Sequence, residues 1–528
     1  MEEKDHYPET QDEEQVEQNF KLILTLATLY LNIFTSTMSQ TIIATATPTI
    51  TSHFHTINDI GWYAGAYALS TSACQMLFSR LFTLVSAKRI YVGAVTAFYI
   101  GTIICGAAPS STVLIVGRAI SGGASAGIMT GTFIILAQTL PLSRRSIHLG
   151  AVGAMYGVGS VVAPLIGGAL TTHVSWRWCF YICPPIGAVV IISAVLFFPD
   201  MPPPMRRRTS WVPAIKQFDP IGTIIFAGTW VSLLLAIQWG GSRYAWNSRL
   251  EIGLLTLSGV LLIAWIISQR LAKGNASLPL RILRQRTVAS TVVYVSTTTP
   301  AFFLMLYNLP IWFQAIKGDS AIESGIHNLP VILSEVAMSL VTGLGTSYLG
   351  YYAPFMIAGP ILMAIGSGLF LTFRVTTTLP HWLGYQIIFG AGLGMALEQP
   401  ITAVQTVLTE ADYVAGTSLI VFCRSLAVAI MVQVAQKLLD THIVAGLASR
   451  QTELDPQTVV KAGATGLRSA ILQATSGRQD LVDLGLRVYN EAILRVFVVI
   501  LALSCIGIIA SFGVEWRNVK DKNEEDPS

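Results

Sequence analysis

The sequence predicts an all-α integral membrane protein with fourteen membrane-spanning helices. Its 528 residues are 52% hydrophobic and 12% charged, whereas a soluble domain carries about 25% charged residues. The mean hydropathy is +0.59. A helix needs roughly 20 apolar residues to cross the hydrocarbon of a bilayer. Stretches of that kind lie at 22–47, 60–78, 90–108, 112–138, 148–170, 179–198, 220–239, 250–268, 288–315, 326–346, 354–373, 383–405, 416–437 and 492–513.

The distribution of Lys and Arg orients these spans. Fourteen basic residues follow the even-numbered spans up to the eighth, whereas three follow the first four odd-numbered spans. Since cytosolic loops carry the excess of Lys and Arg, we expect both termini in the cytosol. The formal net charge of +4 then reflects cytosolic loops that face anionic lipid. Membrane lipid is therefore an expected partner, and nucleic acid is not.

Two groups of six spans are separated by a two-span insert. The first 20 residues are acidic and lack apolar periodicity, which is typical of a disordered tail. In the loop before the last span, Leu467, Ile471 and Ala474 recur at helical spacing, so this loop holds either a short surface helix or solvated chain. The expected units are a cytosolic tail (1–20), a six-helix bundle (21–198), a basic proline-rich cytosolic linker (199–219), a two-helix insert with a basic loop (220–287), a second six-helix bundle (288–513) with an extracellular loop (439–490), and a cytosolic tail (514–528).

Small residues recur through the fifth span. In lipid, small residues let helices approach closely, and a proline adds a kink that neighbouring helices can accommodate. This pattern favours a sliding, bending contact between two bundles, which a transporter needs and a passive anchor does not. The residues concerned are Gly150, Gly159, Ala163, Pro164, Gly167 and Gly168.

The sequence offers no sign of catalytic chemistry. Residues 123–127 spell G-x-S-x-G, but they lie within a continuous apolar span rather than in the strand–turn–helix context that a hydrolase needs. No ATP-binding motif, nucleophile–base set or cluster of metal-ligand residues is evident in the sequence. We therefore expect neither an enzyme nor a primary pump, and no cofactor or bound metal.

The fifth span resembles the antiporter motif of the major facilitator superfamily. That motif reads G, eight residues, G, three residues, G-P, two residues, G-G, and Ala163 replaces the glycine before the proline. Further stretches resemble the fungal fourteen-span drug:proton antiporter group of toxin and multidrug efflux proteins. They are TIIATATPTI (41–50), GWYAGAYALS (61–70), LIVGRAISGG (114–123), VSWRWCFYICPPIG (174–187), FDPIGT (218–223) and QWGGSRYAW (238–246).

This resemblance implies the major facilitator fold, in which two six-helix bundles rock about a central site. It also implies export of small amphipathic organic molecules in exchange for protons. Two alternatives stay open, an uptake carrier for siderophores or other small molecules and a non-transporting membrane sensor. We expect a monomer in the plasma membrane, with the vacuolar membrane as the alternative location.

The chain departs from the family pattern at several places, among them Ser121 in the arginine motif and Cys183 and Pro184 at the entry to the sixth span. Ser39 stands where the group has an aspartate in the first span. In the gating loop after the second span, Ser79 replaces a glycine and Thr83 replaces an acidic residue, while the basic Lys88 and Arg89 remain.

A proton-driven exporter needs an acid that binds and releases a proton inside the membrane, where charges are costly and usually functional. With Ser39 uncharged, the candidate acids are Glu335 in the tenth span and Glu398 in the twelfth. The candidate cations are Arg118 and Arg424. We hypothesise that one of the acids binds the proton in competition with substrate and that one of the arginines sets its affinity. The alternatives are a fixed ion pair, or an acid near a helix end that reaches water.

Neutral polar and aromatic residues are the candidates for a substrate cavity. A cavity with few fixed charges suits bulky, amphipathic and roughly neutral molecules. The alternative for each residue is packing against another helix. The candidates are Asn32, Gln40, Tyr67, Gln75, Tyr307, Asn308 and Gln386.

Overall fold

The computed structural model of the chain is helical. It describes residues 9–54, 56, 59–200, 219–240, 244–271, 281–409, 412–450, 454–475 and 477–520. Within this part of the chain, the extended residues form only isolated bridges.

Six helices form the first bundle. They are α1 (Glu9–Thr41, continued by Ile43–Phe54), α2 (Ile60–Leu84), α3 (Ala87–Ala107), α4 (Ser111–Thr139), α5 (Leu142–His173) and α6 (Trp178–Tyr181, continued by Cys183–Phe197).

The insert and the second bundle follow. The insert is α7 (Pro220–Trp239) and α8 (Arg249–Leu271). The second bundle is α9 (Arg286–Trp312, extended by the π turn Phe313–Lys317), α10 (Ala321–His327 and Leu329–Leu349), α11 (Ala353–Phe370), α12 (Leu379–Ala396 and Gln399–Val407), α13 (Tyr413–Ala448) and α15 (Gln479–Ser511), with α14 (Pro456–Ala474) between the last two.

Thirteen helical stretches in the described residues are long and apolar enough to cross a membrane. The helix α2 corresponds to the predicted span 60–78 but is not among them. Its polar side chains lower its hydropathy; one of them, Gln75, donates a hydrogen bond to Thr130 on α4. The count of fourteen spans therefore stays a prediction.

The chain ends differ from the expected tails. Helix α1 begins at Glu9, so residues 9–20 continue the first span as helix, whereas their composition predicts a disordered tail. At the other end, residues 514–520 lie against the turn between α10 and α11, where Val519 N donates to Gly350 O at 2.8 Å. Residues 1–8 and 521–528 lie outside the described residues. So do 201–218 of the predicted linker and 272–280 of the basic loop.

The loop 439–490 contains the helix α14, which agrees with the first of the two alternatives, a short helix rather than solvated chain. Leu467 and Ile471 on α14 are fully buried, while Ala474 is exposed. The helix kinks at Gly463, whose φ of 62° is left-handed. Arg468 Nη2 donates to Ile316 O at 3.1 Å, so α14 docks on the end of α9.

The two bundles meet along two seams. Helix α5 packs against α10 in one seam, and α2 packs against α13 in the other. The insert lies beside the second seam, because α7 contacts both α2 and α13. The ring of Phe226 on α7 lies 4.8 Å from that of Phe422 on α13, and a Cβ on Gly61 of α2 would lie 3.0 Å from Gln238 Nε2.

Candidate functional site

Three glycines on one face of α5 bring the two bundles into backbone contact. Gly150, Gly153 and Gly157 are three and four residues apart and therefore share a helix face. A Cβ on Gly150 would lie 2.5 Å from the main-chain oxygen of Ser339 on α10, and a Cβ on Gly153 would lie 2.6 Å from Ser339 Oγ. On α10, a Cβ on Gly343 would likewise lie 2.6 Å from Ser146 O of α5. Any larger side chain here would separate the bundles.

Two hydrogen bonds cross the same seam. Ser339 Oγ donates to Gly150 O at 3.0 Å, and Ser347 Oγ donates to Ser143 O at 2.6 Å. Both bonds lie in the first half of α5 and the last half of α10. The seam is therefore closed at the end of the molecule where α5 begins and α10 ends.

The predicted antiporter motif is divided between two contacts. Only Gly150 of its six residues contacts α10 closely. Gly159 and Gly167 pack on α1, near Thr37 and Ile42 respectively. The remaining three do not build the seam contact: Ala163 is buried, Pro164 lies inside α5, and a Cβ on Gly168 would meet only Ile322 at 3.9 Å.

The sequence analysis missed Gly153 and Gly157, which complete the seam with Gly150. The sequence does contain a signal for them, because glycines three and seven residues after Gly150 lie on the same helix face.

Helix α10 is held between glycines on both sides. On α12, a Cβ on Gly394 would lie 2.7 Å from Ser339 N, and Gly390 contacts the backbone of Val331. Close packing of small residues is the main way in which membrane helices associate. The position of α10, and of the acid it carries, is therefore fixed from two directions.

Two buried acids lie at this seam with one arginine. Arg424 Nη1 on α13 donates to Glu398 Oε1 at 3.3 Å, and both side chains are almost fully buried. Glu398 lies at the break in α12, which arises because Pro400 has no N–H for the continuing helix. On α10, Glu335 is within electrostatic range of both Glu398 and Arg424. Of the four predicted coupling candidates, the structure thus places Glu335, Glu398 and Arg424 at one seam.

The acids also contact α5. A Cβ on Gly153 would lie 3.2 Å from Glu398 Cγ, and a Cβ on Gly157 would collide with Glu335 Oε2. Both oxygens of Glu335, and Oε2 of Glu398, are buried without a hydrogen-bond partner among the described residues. Burial of an ion without a partner costs several kcal/mol. Arg424 is paired with Glu398, which leaves the carboxylate of Glu335 without a hydrogen-bonded cation among the described residues.

Arg118 lies apart from this acidic pair. Its Nε donates to Tyr63 O at 2.8 Å and its Nη1 to Ser39 O at 2.9 Å. Its guanidinium lies 4.4 Å from the centroid of the Tyr67 ring. In the part of the chain that the structure describes, no acid pairs with it. Of the two predicted cations, Arg424 is the one that contacts an acid.

The cavity candidates fall into two groups. Gln75 and Gln386 are fully buried and link helices; Gln386 Nε2 donates to His327 O at 3.0 Å. Asn308 donates within its own helix, to Leu304 O. The second group has contacts with charged or aromatic residues: Tyr67 lies under Arg118, Gln40 accepts from Tyr156, and Tyr307 packs on Phe303.

A further central residue, Tyr156 on α5, was missed. Its hydroxyl donates to Gln40 Oε1 at 3.5 Å, and its ring packs edge-on to Phe303. It is within electrostatic range of Tyr67 and Tyr307, and also of Glu398 and Arg424. Tyr156 therefore places an aromatic ring and a hydroxyl of the seam helix beside the predicted cavity residue Gln40.

Asn32 is a helix anchor in this structure rather than a cavity residue. Its Nδ2 donates to Tyr91 OH at 2.8 Å, and its Oδ1 accepts from Tyr99 OH at 3.3 Å. We expect Asn32→Leu to lower the free energy of unfolding by about 1–3 kcal/mol, because it strands buried polar groups. The KM for transport should not change. Melting and transport assays of Asn32→Leu and of the control Gln40→Leu would test this, since the control should shift KM instead.

The gating loop contacts Asp200, an acid that the sequence analysis did not identify. Ser79 is buried, and Lys88 Nζ donates to Phe198 O at 2.8 Å. Arg89 lies 3.9 Å from Asp200 at the end of α6, and Asp200 also accepts from Ser86 Oγ at 2.7 Å. Asp200 thus places a negative charge beside this loop.

The family model of the Major Facilitator Superfamily matches residues 29–432. The chain belongs to this superfamily. The predicted family and fold are therefore confirmed. A major facilitator of this kind is a multi-pass membrane transporter of small molecules and not an enzyme.

Named relatives within the superfamily are fungal. The MFS-type efflux pump MFS1 of Trichophyton rubrum is 43% identical over 506 residues, which is 96% of this chain and 93% of the relative. The efflux pump aflT of Aspergillus parasiticus is 42% identical over 503 residues, covering 95% and 96%. The efflux pump roqT of Penicillium rubens is 39% identical over 505 residues, covering 96% and 92%.

Solved structures agree on the fold. The proton:xylose symporter XylE has a TM-score of 0.60 at 11% identity and covers 94% of this chain and 95% of its own. A bacterial homologue of the human lysosomal transporter Spinster has a TM-score of 0.57 at 14% identity, covering 94% and 98%.

Proposed function

We propose that this major facilitator exports small amphipathic organic molecules, such as drugs, toxins or secondary metabolites, in exchange for protons by alternating access. The observation that carries the proposal is the pair of buried acids, Glu335 and Glu398, placed against the glycine face of α5. The direction of transport is supported by the relatives named as efflux pumps and by the antiporter-type α5.

The acids couple proton binding to the seam. An ionised Glu335 without a partner opposes closure, because closing the seam removes its carboxylate from water. A bound proton relieves this cost and lets Gly157 approach. Substrate in the central cavity relieves it in another way, by shielding or displacing the acids. A carrier that holds neither proton nor substrate then closes poorly, which is the condition for obligatory exchange.

Tyr156 connects the acids with the cavity. It lies on the helix that bears the glycine face, where its hydroxyl donates to Gln40 Oε1 and its ring packs on Phe303. A molecule bound between Gln40 and Tyr307 would press on Tyr156 and so on α5. Competition between substrate and proton therefore needs no shared atom.

We further propose that the protein works as a monomer in the plasma membrane with both termini in the cytosol. The basic turns after the even-numbered spans support this orientation. In this orientation the α5–α10 seam closes the cytosolic side of the carrier, and an open seam admits cargo from the cytosol.

Everted and right-side-out membrane vesicles test the proposal with a fluorescent amphipathic dye. Everted vesicles with an acidic interior should accumulate the dye without ATP, and a protonophore should abolish the accumulation. Accumulation confined to right-side-out vesicles would identify an uptake carrier instead. Absence of flux in both would favour the sensor and overturn the proposal.

A further inference from the structure

The central arginine carries a charge that the described protein does not neutralise. Arg118 is 1% exposed. Its Nε and Nη1 each bond a main-chain carbonyl, and its third nitrogen, Nη2, has no hydrogen bond within the described residues. Carbonyl groups and the Tyr67 ring orient the guanidinium, but they leave its net charge in place. Such a charge in the membrane interior is costly without an opposite one.

Resident acids do not supply the opposite charge. Glu398 is paired with Arg424, and Glu335 lies beside that same pair. The residue of the first span that contacts Arg118 is Ser39, through its main-chain oxygen. In this chain the place next to the guanidinium is neutral.

Two further polar groups near Arg118 are unsatisfied. Ser39 Oγ is buried and forms no hydrogen bond in the described structure. The buried hydroxyl of Tyr67 lies next to the hydroxyls of Ser36 and Ser125, but at no standard hydrogen-bond geometry to either of them. Buried polar atoms normally have partners. Together with the guanidinium of Arg118, these hydroxyls are hydrogen-bond donors in one region of the first bundle that a bound anion could use.

We infer that Arg118, Ser39 and Tyr67 bind an anionic group of the cargo, a carboxylate or an acidic enol or phenol. This rests on the proposed export function and specifies its substrate class as bulky aromatic acids. The sequence alone suggested roughly neutral cargo. A guanidinium and two hydroxyl donors match the acceptor oxygens of such a group.

The second bundle supplies access to this site. Tyr307 on α9 lies within electrostatic range of Arg118 and is 38% exposed. The centroids of the Tyr307 and Phe303 rings are 6.1 Å apart, and Phe303 packs on Tyr156. An aromatic surface therefore leads from an accessible part of the molecule towards Arg118, which suits the ring system of an aromatic acid.

A matched pair of variants at Ser39 tests the inference without removing Arg118, which links three helices. Ser39→Asp places a carboxylate beside the guanidinium, and Ser39→Asn adds similar bulk without charge. The probes are 1-pyrenebutyric acid and its methyl ester. Their binding to the purified full-length protein is followed by pyrene fluorescence at a pH where the free acid is ionised.

The wild-type protein should bind the acid about tenfold more tightly than the ester, as a charge-assisted hydrogen bond predicts. Ser39→Asn should keep this preference. Ser39→Asp should lose it while still binding the ester, which also shows that the variant is folded. Equal affinity of the wild type for acid and ester would overturn the inference, and so would a preference that survives in Ser39→Asp.

The result is separable from the test of export. If vesicles transport the neutral ester and the acid with the same apparent affinity, export stands and the anion site is wrong. If vesicles transport neither probe nor dye, the proposed function itself fails.

Discussion

Transport by a Glu335→Gln variant is expected to be independent of the pH gradient. Glutamine has the shape of the protonated acid, so it packs against Gly157 and lets the seam close. It cannot release or bind a proton, so closure no longer depends on protonation. Dye flux into everted vesicles should therefore be the same with and without an acidic interior, whereas wild-type flux rises with the gradient.

Glu323→Gln is the matched control. Glu323 lies on the same helix, exposed in a capping box with Ser320 at the start of α10, and its loss should leave the gradient dependence intact. Glu398→Gln should behave differently from Glu335→Gln, because it removes the partner of Arg424 and leaves a buried cation. That variant should lose stability as well as coupling. If both Glu335→Gln and Glu398→Gln keep the wild-type gradient dependence, the proposed coupling is wrong.

Hydropathy predicted most of the helices because length and apolarity decide whether a segment can cross lipid. Composition was less informative in three places. Helix α2 forms where the span 60–78 was predicted, but its polar residues, such as Gln75 bonded to Thr130 on α4, keep its hydropathy below that of the thirteen other candidate spans. The acidic residues 9–20 prolong α1, although their composition resembles a tail. For 439–490, periodicity at Leu467 and Ile471 marked the buried face of α14 but could not decide between helix and loop.

The sequence identified the acids of the candidate site, but it did not show which residues they contact. Buried charges in spans are rare, so Glu335, Glu398 and Arg424 could be found from sequence. That Arg424 rather than Arg118 pairs with an acid depends on how α12 and α13 pack, which spacing does not encode. The motif in α5 likewise indicates a helix that packs closely against neighbours on two of its faces. Which glycines face α10 and which face α1 follows only from the packed structure.

Locking the seam shut should abolish transport reversibly. Ser347 Oγ donates to Ser143 O at 2.6 Å across α5 and α10, so the two helices approach closely at these positions, as a disulfide between them requires. In the double variant Ser143→Cys, Ser347→Cys, oxidation should reduce dye flux to the level of empty vesicles, and a reductant should restore it. Alternating access requires this result, because cargo cannot enter from the cytosol while α5 and α10 stay joined. Each single variant, oxidised in the same way, controls for the native cysteines and should transport normally. Undiminished flux through a fully cross-linked protein would show that the bundles do not separate along this seam, and the carrier would have to open between α2 and α13 instead.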